Sequence, residues 1–77
     1  MKISVKPKLA KVLKERGLTQ AQLSEKSGVP QGAISRFDRS VQHRDEILFK
    51  ICLALNCKVE DLFEVEVIEK EKPGADQ

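Results

Sequence analysis

Between Gln20 and Arg39 the chain reads QAQLSEKSGVPQGAISRFDR, two short stretches separated by Ser27-Gly28-Val29. No other part of the sequence constrains the fold as much. Leu23, Val29, Ile34 and Phe37 supply its apolar anchors. Gly28 stands where the chain must turn sharply, and glycine enters the left-handed backbone region without a Cβ clash. Helix, tight turn, helix is the pattern these residues specify, over residues 19–38. Thr19 is a suitable N-cap for the first of the two helices, and Gln22, three residues on, completes a capping box. Pro30 opens the second helix.

The flanks supply further helices. Leu9, Val12 and Leu13 share one face of PKLAKVLKERG, with Lys8, Lys11, Lys14 and Glu15 facing outward. Pro7 suits the first turn of this helix, where its missing N–H costs nothing. Gly17 ends the helix, and Arg16 in the last turn suits the helix dipole. Asp45 and Glu46 suit the start of another helix. In EILFKICLALN, residues Ile47, Leu48, Ile51, Cys52 and Leu55 line a broad face, and Phe49 and Leu53 add a second stripe. A helix apolar nearly all round is expected to be central and buried, although the second stripe could also meet another subunit. Asn56 or Cys57 closes it. VEDLF then reads as a fifth short helix offering Val59, Leu62 and Phe63. Ile3/Val5 and Val65/Val67 alternate with polar residues, a strand signal at each end. These two could pair within one chain or between two. The expected domain spans 1–69, and the polar residues 70–77, KEKPGADQ, read as a flexible C-terminal tail.

Seventy-seven residues suffice for one small domain, and 40% apolar content argues against disorder throughout. Cys52 and Cys57 do not form a CxxC pair, and neither has a second Cys or a nearby His at metal-ligand spacing, so no metal site is expected. They read as reduced thiols of a cytoplasmic protein. MKISVKPK lacks the apolar core of a signal peptide, and no apolar run is long enough for a membrane. No Gly-rich phosphate loop and no nucleophile with a base are legible, and one histidine with scattered carboxylates makes no site, so an enzyme is not expected. Residues 1–44 carry ten Lys+Arg against three Asp+Glu, a charge of +7, whereas residues 45–77 carry four against nine, or −5. That split suits a protein laying one face on a polyanion.

TQAQLSEKSGVPQGAISRF resembles the Xre family, the phage repressor/Cro type of helix-turn-helix protein. ILFKICLALNCKVEDLF is similar to that family's fourth and fifth helices, so the likeness covers roughly residues 7–63. Matching features are Thr19-Gln20, Leu23, Gly28-Val29, Ile34-Ser35, Lys50-Ile51, Ala54-Leu55 and Asp61-Leu62-Phe63. There are departures. Ser24 stands for the usual small Ala, and Ser27 stands where an apolar residue is common. Pro30 stands where Ser or Thr often caps, and Gly32 occupies a base-reading position. The resemblance implies an all-α, five-helix phage-repressor-like fold, to which the strand signals add an optional short antiparallel pairing of the termini.

It also implies a transcriptional regulator, of repressor type, binding double-stranded DNA through the helix from about Pro30 to Asp38. Base reading falls to Gln31, Gly32, Ser35 and Arg36. Gln pairs bidentately with adenine and Arg with guanine, while Gly32 lets the backbone come close. Phosphate contacts fall to Gln20, Arg39, Ser40 and Arg44, with His43 read as an exposed loop residue near the DNA at most. So few base contacts call for a homodimer on two half-sites. No cofactor and no small-molecule ligand are indicated. The alternative is an antitoxin-like protein-interaction module, its acidic EVEVIE strand adding to a partner's sheet edge.

Overall fold

A computed structural model describes residues 1–69. The expected tail, 70–77, lies outside the described residues. The order is β1 (Lys2–Pro7), α1 (Leu9–Arg16), α2 (Gln20–Ser27), α3 (Gln31–Arg36), a 3-10 turn (Phe37–Arg39), α4 (Asp45–Leu55), a second 3-10 turn (Val59–Leu62) and β2 (Phe63–Glu69). The all-α, five-helix expectation is therefore corrected: four α-helices stand beside a two-stranded antiparallel sheet. VEDLF does not become a fifth helix. The Lys58 N–H donates to the Asp61 carboxylate at 3.0 Å, and the Asp61 N–H returns to the Lys58 carbonyl at 2.9 Å, closing one tight turn. From Phe63 to Glu69 the chain is an extended strand. The strand pairing lies within the chain, with Ile3 opposite Val67, Val5 opposite Val65 and Pro7 opposite Phe63.

Eleven side chains form the core: Leu9, Val12, Leu13, Leu23, Val29, Ile34, Phe37, Ile51, Cys52, Leu55 and Leu62. Every helix contributes, because each turns an apolar stripe toward the one interior of the domain. Two helix ends close on expected residues, Gly17 at φ 67° and Asn56 at φ 55°. Arg16 does more than suit a dipole: its guanidinium donates to the Leu55 carbonyl at the end of α4. Such terminal carbonyls have no partner inside their own helix.

Three local expectations need correction. Pro7 ends β1 and does not open α1, which begins at Leu9. The Lys8 side chain makes no cap there. The cap comes from far along the chain instead, as Asp38 Oδ1 accepts from the Leu9 N–H at 2.8 Å and Oδ2 from the Ala10 N–H at 3.0 Å. The helix expected from Pro30 to Asp38 is shorter, ending at Arg36 and tightening into the 3-10 turn that aims Asp38 at α1. The second stripe of α4 is not buried. Phe49 is 58% and Leu53 82% exposed, because α2 and the second 3-10 turn cover only the opposite side of that helix.

Candidate nucleic-acid interface

The α2–α3 turn is fixed by side chains as well as by glycine. Thr19 and Gln22 form the reciprocal capping box at the start of α2, at 3.1 and 2.8 Å. Gly28 takes φ 78° and its N–H reaches the Ser24 carbonyl. Ser24 Oγ donates to the Val29 carbonyl at 2.7 Å, and the Val29 N–H donates to Ser27 Oγ at 3.1 Å. The two serines that depart from the family pattern thus hold the turn, each hydroxyl with a backbone partner. Val29 is buried beside them, so the direction of α3 is set before any partner arrives.

On α3, Ile34 points into the core and Phe37 follows it. Gln31, Gly32, Ser35 and Arg36 are all exposed. The four expected base-reading residues therefore share the solvent side of one helix. Pro30 stands at the N-cap position without a side-chain cap, its carbonyl accepting from Ala33 and Ile34. Gly32 has a specific neighbour. A Cβ built on it would lie 3.2 Å from Arg36 Nη1, so the bare glycine makes the space in which the Arg36 guanidinium rests.

The expected phosphate residues do not share one place. Arg44 lines one depression together with Arg36, an expected base reader, beside Gly28, Pro30 and Ala33. Arg39 and Ser40 line another, with Val5, Pro7, His43 and Phe63. Gln20 is half-buried at the first position of α2. Ser40 Oγ donates to the Arg36 carbonyl at 2.9 Å, which commits its one O–H donor. Lys50, not anticipated as part of a site, joins Arg36 and Arg44 in the first depression. It pairs with Glu46 at 3.0 Å, and its ammonium holds that carboxyl below its ordinary range, by hydrogen bond first and charge second. The Glu46–Lys50 spacing of four was legible as a helix pair. The approach of α4 to α3 was not.

His43 is half-buried, not exposed. Its ring stacks on Phe37 with centroids 4.1 Å apart and meets Phe63 edge-on at 5.6 Å. Nε2–H donates to the Phe37 carbonyl at 2.7 Å, since a carbonyl can only accept. The ring thereby pins the Ser40–Arg44 loop to the end of α3.

Residues 8–67 match the model of the Cro/C1-type HTH DNA-binding domain. The chain belongs to that family. No curated protein and no solved structure shows a significant match. A Cro/C1-type domain is a DNA-binding domain of regulators, not an enzyme family, and the match spans α1 through most of β2. No helix of the described residues is long and apolar enough to cross a membrane. Among those same residues, no three His, Cys, Asp or Glu are grouped to hold a metal ion.

Proposed function

We propose that this Cro/C1-type domain is a cytoplasmic, sequence-specific transcriptional regulator of the repressor type. It acts as a homodimer that lays α3 of each copy into the major groove of duplex DNA. The observation that carries this reading is the solvent face of α3, where Gln31, Ser35 and Arg36 stand together on a helix fixed by a hydrogen-bonded turn. Gln31 and Arg36 read bases, Ser35 reads a base or a phosphate, and Gly32 brings the helix close. Arg39, Arg44 and Gln20 take phosphates and set the register. Ser40 joins them by exchanging the Arg36 carbonyl for a phosphate oxygen. Two copies double a small set of base contacts and match a two-fold operator.

Selection from random duplexes at fixed salt tests this reading. Enrichment of a motif with two related half-sites supports it, and enrichment of nothing removes sequence specificity. Arg36→Ala is expected to cost about 1–3 kcal/mol and to relax preference at one base pair. An unchanged site and affinity in that variant would exclude Arg36 as a reader.

A further inference from the structure

The chain has two cysteines, and the end of α4 brings them together. Asn56 takes φ 55° and its N–H reaches the Leu53 carbonyl at 3.4 Å, while the Cys57 N–H reaches back to the Cys52 carbonyl at 3.0 Å. In this left-handed helix ending, the residue after the left-handed one folds back over the last turn. Its side chain then meets the one five positions earlier. Here both are cysteine. A backbone bond of that length between the same two residues keeps their Cα atoms within about 7 Å, the span that a disulfide bridges. The two thiols lie within hydrogen-bonding reach of each other. Cys52 belongs to the core, and Cys57 packs against that core while staying half-buried. The same helix end is held from outside by the Arg16 guanidinium on the Leu55 carbonyl.

We propose that Cys52 and Cys57 are a modification site for hydroperoxides, closing reversibly into an intrachain disulfide that staples the end of α4. The two sulfurs have unequal roles because they have unequal access. Solvent reaches Cys57, so its thiolate attacks a peroxide oxygen. The O–O bond breaks and Cys57 becomes a sulfenic acid. The leaving oxygen takes up the proton that the Cys57 thiol released and departs as water or an alcohol. The Cys52 sulfur then attacks the Cys57 sulfur. The S–O bond breaks, the S–S bond forms, and hydroxide leaves with the Cys52 proton as water. Two thiols have then lost two electrons, and one peroxide has gained them. Burial, with the Cys57 sulfur and the Asp61 carboxylate nearby, keeps Cys52 protonated, so it does not compete for peroxide. Its sulfur is already in contact when the sulfenic acid forms, which stops Cys57 short of irreversible sulfinic acid. In a reducing compartment the open dithiol is the resting form, and a disulfide made there is transient. Because the bond would join side chains that the fold already sets in contact, folding and oxidation favour each other.

Titration of the full, folded chain with hydrogen peroxide, read by mass spectrometry, tests the proposal. The wild type is expected to lose two hydrogen atoms without forming a covalent dimer, and to recover both thiols with dithiothreitol. Peptide mapping should place the bond between Cys52 and Cys57. Cys52→Ala is expected to halt at the Cys57 sulfenic acid, which dimedone traps, and to pass to sulfinic acid in excess peroxide. Cys57→Ala should leave Cys52 unoxidised at the peroxide concentration that completes the wild-type reaction. Should Cys52→Ala fail to fold, the wild type in a glutathione buffer decides. There the ratio of disulfide to dithiol is expected to be higher in native buffer than in urea, on the order of tenfold, and the oxidised chain to melt above the reduced one. A ratio equal or lower in native buffer overturns the proposal, since the fold would then not favour the bond. So does a wild type carried to sulfinic acid at Cys57 with the Cys52 thiol intact, or one joined to a second chain by its cysteines. Every arm uses the free chain without DNA, so the outcome stands whether or not the duplex selection enriches a motif.

Discussion

Asp38 takes two backbone N–H groups at the start of α1, yet it lies 28 and 29 residues from them. Asp38→Ala strips both acceptors from a half-buried helix start, so urea denaturation should show a loss of about 1–3 kcal/mol with an unchanged slope. Asp38→Asn, which keeps one good acceptor, should fall between. Gly32 poses the opposite trade. An alanine there should raise helix stability by about 0.5–1 kcal/mol. The same methyl would lie 3.2 Å from Arg36 Nη1, so the guanidinium must give by a few tenths of an ångström, and it adds bulk on the face expected to meet the bases. Thermal melting and a duplex titration on Gly32→Ala should therefore move in opposite directions, with Tm up and affinity down; a rise in both would show that Arg36 does not need that space. The two thiols also differ in reactivity. Burial, with Cys57 alongside, pushes the Cys52 thiol up to about 11, so it stays protonated at neutral pH. A thiol that remains neutral in the fold but ionises at about 8.5 once unfolded stabilises the protein fully below that pH. That contribution is lost as pH rises through 11. Mild alkylation at pH 8 should accordingly label the half-buried Cys57 first, with Cys52 following only on unfolding.

At the scale of elements, the turn between α2 and α3 should depend on Ser24 and Ser27 as much as on Gly28. Ser24→Ala removes the donor to the Val29 carbonyl, and Ser27→Ala removes the acceptor for the Val29 N–H. Each is expected to cost about 1 kcal/mol, and Ser27→Ala should speed amide exchange at Val29 selectively. The helix-turn-helix was legible because its signals are local: a capping box, a glycine at a left-handed position, and apolar residues at helical spacing. The same locality makes plain why other elements were not. VEDLF has a helix-like apolar spacing, but only four residues separate Lys58 from a strand already committed to β1, and one tight turn is all that fits. Phe49 and Leu53 read as core because Lys50 alone interrupts the apolar run around them. Their exposure is decided by how much of α4 the rest of the domain can reach. His43 gave no sequence signal of its packing, since Phe37 is six residues away and Phe63 twenty. The four residues expected to read bases needed only the helix phase of Ile34 and Phe37 to be placed on one face. Sorting Arg39 and Ser40 away from Arg36 and Arg44 needed the tertiary fold.

For the molecule as a whole, the basic first forty-four residues include α3 and the arginines around it, and the consequence is measurable as salt dependence. Each arginine that neutralises a phosphate releases condensed counterions. The slope of log affinity against log salt should therefore lose about 0.9 for every such contact removed from one copy, and about twice that for two copies bound together. Arg39→Ala and Arg44→Ala are each expected to flatten the slope and to weaken all duplexes alike, whereas Gln31→Ala should narrow the gap between preferred and random duplex at nearly constant slope. Lys50 supplies an internal comparison. It shares the depression with Arg36 and Arg44, but Glu46 already holds its charge. Lys50→Ala should then change the slope less than Arg44→Ala does, and Glu46→Gln, by freeing the ammonium, should steepen it. Titrations of these variants against one duplex over a series of salt concentrations read all of this from a single plot. Equal slopes for Arg39→Ala, Arg44→Ala and the wild type would mean that neither guanidinium reaches a phosphate.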